Sequence, residues 1–157
     1  MRTYTREWTF FGSHFNTGKT YDVFHNIIND EKSTIKDRKA DILALMRDIH
    51  GHNFKFVVTC MDEGDSPFVI EDEFAHEFMV SNFAETNYSL HPYFYERNKR
   101  ATIEEMSKYI AYKIHQLAVF DLENVTVKVY EEFDRFATYY MENFEAESIK
   151  EDGDYDS

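Results

Sequence analysis

The sequence predicts an α+β fold in which an antiparallel four-stranded sheet, built in the order ββααββ, carries two helices packed on one face. Three observations predict it. Two early stretches alternate at period two, two central stretches repeat apolar residues every three or four positions, and two late stretches return to period two. The chain has 157 residues, 43% hydrophobic and 17% aromatic, enough for one domain with a proper core. Residues 1–144 are expected to form that domain, with an insertion at about 16–48, and residues 145–157 a disordered acidic tail.

Arg2 to His14 reads as the first strand, with Trp8, Phe10, Gly12 and His14 on one face and aromatic residues dense enough to favour β structure. Asn16 to Asp48 is a polar connection too long for a hairpin turn. Its second half has a helical repeat in Ile35, Ile42, Leu45, Met46 and Ile49. The next strand, His50 to Cys60, begins with two histidines and continues as an apolar stripe. Alternation sends His50, His52, Phe54, Phe56, Val58 and Cys60 to one face.

Gly64 and Pro67 mark Met61 to Phe68 as a turn, and Val69-Ile70 reads as a short strand. Glu71 to Phe83 reads as a helix with Phe74, Phe78, Met79 and Phe83 on one side and acids in its first turn, where the helix dipole favours them. A loop containing Asn87, Pro92 and His91 follows. The second helix opens on a capping box, Thr102 and Glu105, carries the stripe Ile103, Met106, Ile110, Ile114 and Leu117, and ends near Val119. Val125 to Glu131 and Arg135 to Tyr140, joined around Phe133 and Asp134, read as a closing hairpin.

Charge narrows the function. A net charge of -13 opposes a nucleic-acid backbone or an anionic membrane as partner, and a phosphorylated substrate needs a local cation or metal. A lone cysteine makes no internal disulfide, and no signal-like segment or membrane-length apolar run is present, so a cytoplasmic setting is expected. There is no glycine-rich phosphate loop and no serine-nucleophile elbow, which leaves metal chemistry as the main enzymatic candidate.

A His-x-His pair on one strand can direct two imidazole nitrogens at a single zinc ion, with a further ligand from elsewhere. His50 and His52 make such a pair; His14, at the end of its own apolar face, is a strand-end histidine whose value depends on its neighbours. Glu131 ends the apolar face of Val125, Val127 and Val129. It is either a rim carboxylate or an acceptor for a flat nitrogenous ligand, because an unpaired charge is costly to bury.

Four stretches in this order resemble the 6-pyruvoyl and 6-carboxy tetrahydropterin synthase family: Phe10 to His14, His50-Gly51-His52-Asn53-Phe54, Ala101-Thr102-Ile103-Glu104-Glu105 and Val127 to Glu131. The resemblance spans roughly Trp8 to Tyr140. It implies a tunnelling fold whose subunits join sheets into a barrel, a homo-oligomer and usually a hexamer. It implies a catalytic zinc on His14, His50 and His52, with Glu131 anchoring a pterin ring and Thr102 and Glu104 beside it. The zinc would acidify substrate hydroxyl or carbonyl oxygens, opening enolisation, loss of an oxygen leaving group or side-chain cleavage.

The sequence departs from the family at its proton-transfer residues. Met46 stands where the family's cysteine is expected, and Leu90 precedes His91 where an aspartate is expected. His91, and after it Asp48, are then the expected proton carriers, since histidine titrates in the useful range. The resulting expectation is a zinc-dependent lyase acting on 7,8-dihydroneopterin triphosphate or a related compound, with routes to tetrahydrobiopterin, folate or a 7-deazaguanine such as queuosine open. The alternatives are a catalytically degenerate homologue that binds zinc and a pterin- or purine-like ligand, or a protein partner, without turnover, and an α+β interaction domain whose histidines are coincidental.

Overall fold

The computed structural model describes residues 1–15, 39, 43, 49–64, 66–97, 99–118 and 122–142. The expected acidic tail at 145–157 and all of the 16–48 insertion except Lys39 and Leu43 lie outside the described residues, Asp48 and Met46 included. Strands β1 (Arg2–Phe15) and β2 (Ile49–Asp62) form the spine. They pair antiparallel from Arg2 opposite Asp62 to Phe15 opposite Ile49. Strands β4 (Asn124–Glu132) and β5 (Arg135–Glu142) extend the sheet on the β2 side.

The expectation of a four-stranded antiparallel sheet is corrected. Strand β3 (Thr86–Asn87) adds a fifth member, parallel to β1 beside Gly12 and Ser13, so the sheet is mixed, in the order β3-β1-β2-β4-β5. Two residues are too few to show an alternation, which is why this strand reads as loop from sequence. From Asp72 onward, among the described residues, three helices stand where two were expected. Helix α1 (Asp72–Phe83) and helix α3 (Ile103–Leu117) are joined by the short α2 (Pro92–Tyr95), which follows a 3-10 turn at Tyr88–Leu90. Val69 and Ile70 form a bend rather than a strand, yet both are buried.

Alternation on the strands selects the core. Phe54, Phe56, Val58 and Cys60 of β2 and Val125, Val127 and Val129 of β4 are wholly buried, and they meet Met79 and Phe83 of α1 and Met106, Ile110 and Ile114 of α3. Each such side chain contributes on the order of 1.5–3 kcal/mol by leaving water. The buried stripe of α1 runs Ala75, Met79, Phe83; Phe74, expected in the stripe, is exposed. Spacing of four places 75, 79 and 83 on one side of the helix, and Phe74 lies a residue off it.

Local chemistry holds the helices to the sheet. Thr102 Oγ1 accepts the Glu105 N–H at 3.2 Å, the cap that starts α3, while the Glu105 carboxylate faces Lys99 Nζ at 3.4 Å. Asp72, in the first turn of α1, takes hydrogen bonds from Tyr4 and Arg6 of β1, which hold its carboxyl below the usual carboxylate range. His76 Nδ1 faces Trp8 Nε1 at 3.1 Å and the Arg6 guanidinium at 2.9 Å, a second clasp between α1 and β1.

One glycine is required by packing. A methyl on Gly12 would come within 2.6 Å of Tyr88 Cε2. Tyr88 is fully buried, and its hydroxyl donates to the Phe83 carbonyl at 2.7 Å, so the ring has no room to withdraw. Gly12→Ala is expected to cost about 1–3 kcal/mol. The measurement is the urea midpoint, which falls with an unchanged slope; an unaltered midpoint would show that the Tyr88 ring moves freely.

Candidate metal centre

The β1–β2 register sets His14 directly opposite His50, and Gly12 opposite His52. All three imidazoles therefore project from the core face at one end of the sheet. Their ring centroids lie 4.6 Å (His14–His50), 4.8 Å (His50–His52) and 5.9 Å (His14–His52) apart. Phe54, wholly buried, packs edge-on against His14 at 5.3 Å and His52 at 5.5 Å, giving the group an apolar floor.

Glu131 reaches the same point from β4. The ladder between β4 and β5 shifts register between Tyr130 and Glu132, leaving Glu131 on a bulge without a cross-strand partner. Bulges commonly re-aim a side chain. Glu131 Oε1 lies 3.0 Å from His14 Nε2, 3.1 Å from His52 Nε2 and 3.7 Å from His50 Nε2. One ligand atom from each of the four residues falls within 4.8 Å of the others, so the group can hold a metal ion.

The hydrogen bonding tests whether a cation fits there. His14 Nδ1 lies 2.9 Å from the Ala101 carbonyl, which only accepts, so this nitrogen carries the proton. In a neutral imidazole Nε2 is then a lone pair, and it faces a carboxylate oxygen. Lone pair against lone pair at 3.0 Å calls for a cation, a proton or a metal ion, between them. His52 Nε2 is buried and makes no hydrogen bond among the described residues, although Glu131 Oε1 is near. Burial lowers its pKa below the ordinary histidine value, against the pull of Glu131, which favours the neutral ring a metal requires.

Separate protons on three adjacent imidazoles would repel one another; one ion satisfies all four groups together. Zinc at its usual distances of about 2.0–2.1 Å from nitrogen and oxygen holds tetrahedral ligands roughly 3.4 Å apart. The Glu131 distances bracket that edge. The donor set fits zinc.

Other sequence-predicted residues fall around this group or away from it. Ala101, which holds His14, immediately precedes Thr102, so the Thr102 cap lies beside the cluster; the Glu104 side chain is exposed one turn on. His91 belongs to the helical layer. Its Nδ1 accepts the Tyr93 N–H at 3.1 Å as the N-cap of α2, and its Nε2–H donates to Asn82 Oδ1 at 2.7 Å. Its ring stacks on Phe83 and meets Tyr109 edge-on. Burial lowers its pKa, and Lys113 acts in the same direction. Leu90 is exposed beside it. Cys60 is wholly buried, and burial pushes its thiol up to about 12, which leaves it inert as a proton donor.

Sequence reasoning missed three contributors. The Ala101 carbonyl carries no side-chain signal. Phe54 reads as ordinary core. Arg135 was legible in principle, since a hairpin turn at 133–134 brings it across from Glu131 and Glu132: its guanidinium lies 3.7 Å from Glu131 Oε2 and 3.3 Å from Glu132 Oε2.

The fold is similar to that of Caenorhabditis elegans 6-pyruvoyl tetrahydropterin synthase, at 15% identity and a TM-score of 0.55, covering 89% of this chain and 95% of that one. It is also similar to the Plasmodium falciparum 6-pyruvoyl tetrahydropterin synthase, at 12% identity and a TM-score of 0.50, covering 90% and 98%. No curated protein matches the chain in sequence. Residues 16–142, a span that contains His50, His52 and Glu131, match the family model described as 6-pyruvoyl tetrahydropterin synthase, and the chain belongs to that family.

Proposed function

We propose that this protein is a zinc-dependent pterin-converting lyase acting on 7,8-dihydroneopterin triphosphate or a related reduced pterin. The observation that carries the reading is the convergence of His14, His50 and His52 with Glu131 in a chain of this family. His14, His50 and His52 would hold the zinc. Bound there, zinc supplies a Lewis acid that polarises and acidifies substrate oxygens. The rest falls to the chain's own residues. Phe54 closes the floor of the site to water, and the Ala101 carbonyl fixes the His14 tautomer. Glu131, Thr102 and Glu104 would orient the ring from the cluster's edge.

Proton transfer is assigned in this reading to His91 or Asp48. His91 must first exchange its Asn82 hydrogen bond, because both ring nitrogens are engaged. The same engagement, with an inert Cys60, favours a second reading: a relative that binds zinc and a pterin-like ligand without turnover. Assembly as a homo-oligomer, a hexamer in the fullest form of the resemblance, would use the open edges of the sheet at β3 and β5. Among the described residues no helix is long and apolar enough to cross a membrane.

Zinc content by mass spectrometry, with turnover followed in the same samples, tests the reading. The expected result is about one zinc per chain, largely lost in His52→Ala, with dihydroneopterin triphosphate consumed only by the loaded protein. Ligand binding without consumption would select the second reading, and a wild type that retains no zinc would remove the first.

His91→Asn separates a proton carrier from a helix cap. Loss of turnover with zinc and melting temperature retained marks the carrier; a lowered melting temperature with turnover retained marks the cap. The pH dependence of stability follows from the same ring. Its folded-state pKa is depressed, so the unfolded chain binds the proton more readily, and stability is full above the ordinary histidine value of 6.5 and declines as pH falls below it. The urea midpoint should decline less steeply over that interval in His91→Asn than in wild type. Parallel profiles would show that the His91 pKa does not differ between the two states.

A further inference from the structure

The face of the sheet turned away from the core carries a cavity of its own. Lys55 stands between Phe54 and Phe56, both wholly buried, so alternation turns it to the outer face. The register sets Lys55 opposite Thr9 of β1 and Tyr130 of β4, and Tyr130 opposite Phe136 of β5. A pocket of about 430 Å³ opens on this row, lined by Thr9, Asn53, Lys55, Tyr130, Glu132 and Phe133. Its lining combines an aromatic shelf with a loosely held cation. The Tyr130 and Phe136 rings pack with centroids 4.7 Å apart; Phe136 is half exposed, and Phe133 at the rim is fully exposed. Lys55 Nζ lies 5.2 Å from the Tyr130 ring centroid and 3.7 Å from Glu7 Oε2, its one ion pair among the described residues. Both side chains of that pair reach solvent, where such a contact is weak. The side chains of Thr9, Asn53 and Tyr130 make no hydrogen bond to another described residue.

We propose that this outer-face pocket binds a flat aromatic compound carrying a single negative charge. An aromatic ring gains most by packing on another ring, and Tyr130 offers a face with Phe133 at its edge. The acid group of the ligand draws Lys55 Nζ away from Glu7 and from the Tyr130 face, exchanging two weak contacts for a charge-assisted hydrogen bond. The ligand ring then takes the face that Nζ leaves. Asn53 and Thr9 supply an amide and a hydroxyl for polar groups on the ring's edge. Glu132, the acid of the lining, is answered by Arg135 at 3.3 Å. One lysine matches one charge, whereas a polyanion would meet Glu7, Glu132 and a chain of net charge -13. The pocket is separate from the histidine cluster, because Asn53 and Lys55 face the opposite side of β2 from His52 and Phe54.

The test is calorimetric titration of the full chain, with and without added Zn²⁺, using 2-naphthoate and its neutral counterpart 2-naphthamide as probes. Wild type is expected to show a saturable site that holds naphthoate about ten-fold more tightly than naphthamide. Lys55→Gln should weaken naphthoate by about ten-fold and leave naphthamide within about two-fold, and Tyr130→Leu should weaken both by roughly three-fold or more. Lys113, whose Nζ lies 5.9 Å from the Tyr109 ring in the helical layer, provides the control: Lys113→Gln should change neither by more than about two-fold. Equal affinity of wild type for the two probes, unaltered naphthoate binding in Lys55→Gln, or an equal loss in Lys113→Gln would overturn the site. Naphthoate binding lost in His52→Ala but kept in Lys55→Gln would also overturn it, placing the anion at the imidazoles instead.

Discussion

The antiparallel register of β1 on β2 is the constraint from which the rest follows. It sets Arg2 opposite Asp62 at one end and His14 opposite His50 at the other, and every pair between is fixed by it. A slip of one residue would turn His14 to the opposite face from His50 and His52, and the same slip would expose Trp8. The core therefore enforces the site. Phe54, Phe56, Val58 and Cys60 lie buried on the strand and face that present His50 and His52, so the free energy of burying the stripe also orients the imidazoles. The close approach of Tyr88 to Gly12 secures the same register from the helical side.

At the end of that stripe the core changes from apolar to ligating within one alternation. His52 precedes Phe54 on the same face of β2, and Glu131 follows Val129 on β4. Imidazoles and a carboxylate placed there share one need, a cation; among the described residues, Arg135 reaches only the outer oxygen of Glu131. A metal ion meets the need better than protons do, because protonated neighbours repel and one divalent ion is shared. The Ala101 carbonyl on His14 extends this logic to the next layer, tying the start of α3 to the ligand it positions.

Much of this was legible in the sequence. Period-two alternation placed His50 and His52 on the Phe54 face, and the capping box placed the start of α3, since both are local properties of the chain. The fifth strand was not legible, because Thr86–Asn87 is held by its parallel partner on β1 rather than by its own pattern. Phe74 misled because aromatic residues at helical spacing identify a stripe only to within one position, and packing chose Ala75 instead. Glu131 illustrates the boundary most clearly. Its unusual place at the end of an apolar face was visible, whereas its approach to three imidazoles depends on a bulge and on two strands far apart in sequence.

The account depends on three imidazoles from two strands acting as one ligand set. X-ray absorption at the zinc edge of the zinc-loaded full chain measures this directly. The account predicts a first shell of nitrogen and oxygen only, at about 2.0–2.1 Å, with outer-shell scattering from three imidazoles. A sulfur scatterer near about 2.3 Å, or scattering from a single imidazole, would contradict it and place the metal somewhere other than at the His14–His50–His52 corner.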